Sequence, residues 1–310
     1  MKSTLSPLGY STSFLAIIAL ASPAFASDEA PAVSLIAAQN ILPRAPECSA
    51  IPCTLAHAYR ADPEAAAAAL ALWSESGDVA GVGEEEELDG GFRGAIRLVP
   101  ELPVRGYRKH LEWVLAGTRG IDHFFDALFA NQPAPSYRFR ALEFRFARSV
   151  NKHRPSAYTA GWSITYNVEG SLNLSAKAVE ETLFHELFHA NDDAHGDWSV
   201  SHLKQDYVGI LLHCGPKLAL KCLAPYAPND TTVRGGTYYA FQQNNGDTVH
   251  EYAAELAVRY FKEQRAMLAG GKLTHAAFKC GPRENARAWQ ALVHEFFADR
   301  DLVPICSSAH

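Results

Sequence analysis

The sequence predicts an α+β fold. Two stretches, Tyr137 to Arg148 and Trp162 to Asn167, alternate apolar with polar or charged residues, which is the period of a half-buried strand. From Ser175 onward the apolar residues instead recur three and four apart, the period of helices. Strands followed by helices, with no internal repeat, describe an α+β domain rather than a sandwich or a solenoid.

The N-terminus reads as an export signal. Lys2 supplies a positive charge, Phe14 to Ala21 form a short apolar core, and Ala24-Phe25-Ala26 fit a small-residue cleavage site. The apolar run is shorter than the roughly 20 residues that span a bilayer as a helix, and no second long run follows. The expectation is therefore a secreted or periplasmic protein without membrane insertion. Removing residues 1–26 takes away one lysine and no acid, leaving 284 residues with 27 basic and 34 acidic side chains. That mildly acidic balance argues against nucleic acid as a partner, which calls for a basic patch.

Six cysteines in an exported chain read as disulfides, since no C-x-x-C suggests a cysteine metal site. Cys48/Cys53 and Cys214/Cys222 are near enough to staple small loops, which leaves Cys280/Cys306. Six cysteines allow fifteen connectivities, and this one is only the most economical.

Residues 27–92 differ from the rest. Ala61 to Trp73 is an alanine-rich helix candidate, and Glu84 to Glu87 form an acid run closed by Gly90-Gly91. Like charges repel and stay solvated, so the run reads as an exposed loop or as a linker after a pro-segment. A catalytic domain would then occupy residues 93–310. Within it, 106–117 and 119–130 read as two helices, the second with Ile121, Phe124, Phe125, Leu128 and Phe129 on one face. The alternation of Tyr137 to Arg148 slips phase at Ala141-Leu142, which suggests a bulge or break. Trp162 to Asn167, before the turn Glu169-Gly170, reads as a strand near the sheet edge. Residues 175–191 form the central helix, with Ser175 as N-cap and Val179, Leu183 and Leu187 as its stripe. Further helices are expected at about 199–213, 248–265 and 284–299, the last with Trp289, Leu292, Val293 and Phe296 on one face.

The central helix carries the chemistry. His185 and His189 stand four apart and so project from one helix face. Two neutral imidazoles in that relation can bind Zn²⁺, which ordinarily takes three protein ligands and a water when catalytic. Glu186 can then act as the base that takes a proton from the water. The segment His185-Glu186-Leu187-Phe188-His189 resembles the zincin metallopeptidases. The resemblance implies a small mixed sheet whose edge strand, here Trp162 to Asn167, binds the substrate backbone above the motif helix.

A third ligand has two main candidates. His195 falls where the metzincin branch places its third histidine, but that branch wants glycine where this chain has Asp192, and its methionine turn is unsupported. Glu251, in His250-Glu251-Tyr252-Ala253-Ala254-Glu255, resembles the E-x-x-A-E element of the gluzincin branch, with Gly246 breaking the chain before it and Asp247 as a natural N-cap. That resemblance implies Glu251 as the zinc ligand and Glu255 as a hydrogen-bond partner of a ligand histidine. The bland alternative pairs Glu255 with Arg259 on a solvated face. Asp192 and Asp193 could themselves bind the metal, orient His189 or cap the helix. Tyr238 or Tyr239, in Gly235 to Phe241, could steady the oxyanion, with Tyr239 preferred. The expected activity is zinc-dependent endopeptidase action on protein or peptide substrates. A cell-wall peptide amidase, a non-catalytic zincin-fold binding protein and a metal-free module in which both histidines lie at the surface are its rivals.

Overall fold

A computed structural model describes residues 32–89, 94–233, 236–242 and 248–306. The expected signal peptide, residues 1–26, lies outside the described residues, as do Gly90, Gly91, Phe92, Gly235, Gly246 and the N-cap assigned to Asp247. The described residues belong to one compact unit. In chain order it comprises helices α1 (Leu35–Ile41), α2 (Ile51–Ala58) and α3 (Pro63–Ser76), then strands β1 (Val79–Val82), β2 (Glu86–Asp89) and β3 (Ala95–Pro100). Helix α4 (Arg108–Leu128) precedes β4 (Glu143–Ser149), β5 (Ala157–Ala160) and β6 (Ser163–Asn167). The rest is helical: α5 (Ala176–Ala194), α6 (Trp198–His202), α7 (Lys204–Cys214), α8 (Leu220–Leu223), α9 (Thr248–Leu268) and α10 (Arg283–Phe296). The fold is thus mixed α and β with a helical C-terminal part, as the periodicities predict.

The strands make one mixed sheet in the order β2-β3-β4-β6-β5, with β1 also paired to β4. β1 and β6 run parallel to β4, while β3 and β5 are antiparallel to their neighbours. Three expectations for the strands and the acid run need correction. β6 is an interior strand, buried at every position, and the edge strand is β5. The regular alternation of Trp162 to Asn167 misled because Tyr166 and Ile164 face the core while the buried Ser163 and Asn167 hydrogen-bond to Glu143 and Ser149. The strand expected from Tyr137 begins only at Glu143, because Ala141 turns the chain at φ 60°, at the predicted phase slip. The acid run is half strand: Glu86 and Glu87 pair with Leu98 and Arg97 of β3.

The residues before the acid run are built into the common core. Leu55, Tyr59, Leu72 and Val79 are fully buried there. Asp62 caps α3 through the Ala65 amide at 3.2 Å, and Pro63 supplies a preset φ at its first position. β1 crosses the end of α1 so closely that a Cβ on Gly81 would lie 2.2 Å from the Ile41 carbonyl oxygen.

The two helices expected at 106–117 and 119–130 are one. Its buried residues Leu111, Val114, Leu115, Thr118, Ile121, Phe125 and Leu128 continue at three and four apart through the presumed break. Packing on α5 offsets the poor helix propensity of Gly117 and Gly120, and both glycines are needed for the close approach. A Cβ at 117 would sit 3.0 Å from Leu183 and 3.3 Å from the Glu180 backbone. The helix expected at 199–213 is instead divided, with Leu203 between α6 and α7. A stack of rings ties α4, α5 and α9 together: Phe261 lies 4.7 Å from Phe124 and 4.3 Å from Phe184. All three expected disulfides are present, Cys48–Cys53, Cys214–Cys222 and Cys280–Cys306. No helix among the described residues is long and apolar enough to cross a membrane.

Gly117→Leu should overpack the α4–α5 contact and lower stability by about 1–3 kcal/mol in denaturant unfolding. An unchanged transition would mean that the two helices do not depend on their close approach.

Candidate metal centre

Helix α5 begins where Ser175 accepts the Ala178 amide at 3.2 Å, and it runs between α4 and α9. Four ties hold it in register. Arg265 of α9 meets Glu180 at 2.5 Å, and Lys262 meets Glu181 at 3.3 Å. At the other end Asp192, almost fully buried, accepts from the Ser199 amide at 2.7 Å and pairs with His250 Nδ1 at 2.6 Å. The contacts to Arg265, Lys262 and His250 fix α9 lengthwise against α5, so Glu251 lies opposite the two histidines.

The result is a converging donor set. His185 Nε2 lies 3.1 Å from His189 Nε2 and 3.2 Å from Glu251 Oε2, and the latter is 3.8 Å from His189 Nε2. Tetrahedral ligands at about 2.0–2.1 Å from one ion stand roughly 3.4 Å apart. The three groups therefore have both the chemistry and the spacing to hold a metal ion. Two imidazoles and a carboxylate suit first-row divalent ions, zinc among them.

The surrounding contacts discriminate between the sequence candidates. Glu255 stands one turn along α9 from Glu251 and places Oε1 3.3 Å from His185 Nδ1. Arg259, the bland partner for Glu255, binds Glu263 instead at 2.6 Å. His195 ends α5 and pairs with Glu295 at 2.7 Å, outside the cluster. Asp192 is occupied with Ser199 and His250, and Asp193 is exposed. Neither belongs to the donor set.

Two partners carry no sequence signal. Asn229 donates from Nδ2 to Glu255 Oε2 at 3.0 Å and to the Glu255 carbonyl at 2.8 Å. Thr159 of β5 places Oγ1 2.8 Å from Glu186 Oε2 and 3.0 Å from the Glu186 carbonyl. Both contacts arise from chain segments distant in sequence, where a lone Asn or Thr is indistinguishable from any other. The side chains of Asp192, Ser199 and His250 were likewise invisible as a joint.

The site opens into a cleft of about 990 Å³ lined by His185, Glu186, Tyr239, Glu251 and Glu255. Its electrostatics are strongly coupled. Burial opposes charge on His185, but hydrogen bonds to Glu251 and Glu255 outweigh it and raise its pKa well above the usual 6.5. Burial likewise opposes charge on Glu251, yet hydrogen bonds to His185 and His189 hold it well below the usual carboxylate range. Tyr239 is raised well above 10 by burial first, then by the charges of Glu251 and Glu186, so it keeps its phenolic proton at neutral pH. Its ring centroid is 5.9 Å from that of His185, and it lines the cleft, whereas Tyr238 does not.

Metal binding should be lost on Glu251→Ala and retained on His195→Ala when metal content is measured after dialysis. A raised His185 pKa gives the protonated pair its full stabilisation below about 6.5, and that stabilisation fades as pH rises through the raised value. A metal must displace this proton, so affinity should fall as pH is lowered and binding should release protons. Calorimetry in buffers of different ionisation enthalpy would read that release, and buffer-independent heats would refute it.

Comparison with family models, with curated proteins and with solved structures finds no match to this chain.

Proposed function

We propose that this chain is a secreted or periplasmic zinc-dependent peptidase of the zincin kind, close in plan to the gluzincin branch. The observation that carries the reading is the convergence of His185, His189 and Glu251, with His185, Glu251 and the neighbouring Glu186 lining one cleft. Three disulfides support export, because such bonds persist in oxidising compartments. The short edge strand β5 beside the motif helix supports a substrate bound in extended form.

The chemistry divides among named side chains. Bound zinc would supply Lewis acidity toward the scissile carbonyl and lower the pKa of a water at its open position. Thr159 donates to Oε2 of Glu186 and orients the carboxylate, leaving Oε1 to take the proton of the attacking water. The same carboxylate then hands that proton to the leaving amine nitrogen. Tyr239, kept as a phenol, donates its hydrogen to the oxygen on which charge develops. Glu255 accepts from His185 Nδ1, which fixes the ring so that Nε2 faces the donor set. Asn229 in turn keeps Glu255 in place.

Glu186→Gln should retain metal yet lose peptide hydrolysis by about 10²-fold or more. Tyr239→Phe should lower kcat by about 10²-fold with metal content unchanged. Peptide hydrolysis by the metal-loaded protein that survives Glu186→Gln at wild-type rate would sink the reading.

A further inference from the structure

The sheet is curled. Its order puts β2 and β5 at opposite ends, yet the Tyr158 hydroxyl of β5 bonds to Glu86 of β2. The curl carries the β2–β3 pair over the cleft, so that Leu88 and Ile96 line it together with Tyr158. These residues adjoin a small apolar cluster, Ile96, Leu98 and Ala147, that is separate from the main core. On the rim stand Leu172 and Leu174, 52% and 75% exposed.

The rim leucines are exposed without being loose. Asn173 between them is buried and donates from Nδ2 to the carbonyls of Ser156 and Asn167 at 2.8 and 2.9 Å. The Leu172 amide donates to Ser156 Oγ at 2.9 Å, and the Ser171 amide to the Arg154 carbonyl at 3.3 Å. Leu174 directly precedes the N-cap Ser175, where an apolar side chain commonly folds back onto the fourth helical residue. Here that residue, Val179, is fully buried in the core and Leu174 faces the cleft. Apolar side chains held rigidly in water beside a polar site mark a surface that a ligand covers.

We propose that Leu88, Ile96, Tyr158, Leu172 and Leu174 form a subsite for a large apolar side chain of an extended peptide substrate. The proposal rests on the peptidase reading and adds a side-chain preference to it. Among the described residues β5 pairs only with β6, and its Ala157 and Tyr158 line the cleft on the other side. Its side chains alternate, Thr159 toward Glu186 and Tyr158 toward Glu86 of the overlying pair. A peptide laid along that edge continues the pleat, so its side chains alternate in the same way. Every second substrate residue faces the apolar wall, while its neighbours face the threonines and carboxylates of the floor. The apolar preference therefore has a period of two along the substrate.

The test uses short internally quenched peptides of serine and alanine in which one leucine is moved a position at a time. Cleavage is followed with the zinc-loaded protein, and binding by anisotropy with zinc-loaded Glu186→Gln. The expected result is a gain of about tenfold in kcat/KM and in affinity at alternate positions, with none between them. In Leu172→Ser/Leu174→Ser the ratio of leucine to serine peptide should fall by a similar factor, whereas general damage lowers both peptides and leaves the ratio intact. Peptides cleaved with a flat or non-alternating preference overturn the subsite and spare the peptidase reading, as does a ratio unchanged in a folded double variant. If the zinc-loaded protein neither cleaves nor binds any peptide, the peptidase reading falls and takes the subsite with it. The wild-type scan decides the matter even if the double variant fails to fold.

Discussion

His185 is the side chain on which the site turns. Its two ring nitrogens meet two carboxylates of one neighbouring helix, Glu251 at 3.2 Å and Glu255 at 3.3 Å. A single imidazole can satisfy both only when α5 and α9 lie in one lengthwise register, since the carboxylates are a turn apart. The ion pairs at Glu180, Glu181 and Asp192 hold that register from both ends, and the rings of Phe124, Phe184 and Phe261 hold the spacing. A buried cluster of charges is costly unless every member is partnered, so the helices and the donor set specify each other.

The same logic explains the close α4–α5 packing. Glycines at 117 and 120 let α4 lie against the back of α5, which leaves the histidine face free for α9. The helix thus has a dry apolar back and a charged front. It is buried nearly all round, and for that reason its amphipathic stripe alone understates how deeply it is enclosed.

What could be read in the sequence follows from how local each signal is. The spacing of His185 and His189 places both on one face in any helix, and the E-x-x-A-E pattern does the same for Glu251 and Glu255. The structure brings the first three of these together. The α+β order and the disulfide pairs were also legible, the pairs because short loops left one economical solution. Thr159, Asn229 and His250 were not, because each acts across a tertiary contact of 26 to 58 residues' separation. The edge of the sheet was misread for a related reason. Periodicity reports which side chains alternate, whereas the position of β5 outside β6 depends on pairings that no local pattern encodes. One helix stands where two were expected at 106–117 and 119–130, because packing on α5 outweighs the weak helix propensity of Gly117 and Gly120.

The curl of the sheet has a consequence for solubility. A strand with a free edge is a template on which other chains can add, and it invites aggregation. β5 is only four residues long, and the β2 strand reaches it through Glu86 while the Ser171–Leu174 turn is fastened beside its start. A single extended chain of modest width can enter such a slot, but a second sheet cannot stack against it. The carboxylate of Glu87, exposed on the overlying strand, adds a charge that a stacking copy of the protein would have to bury. The walls that shape the cleft thereby also keep its edge from becoming an assembly point.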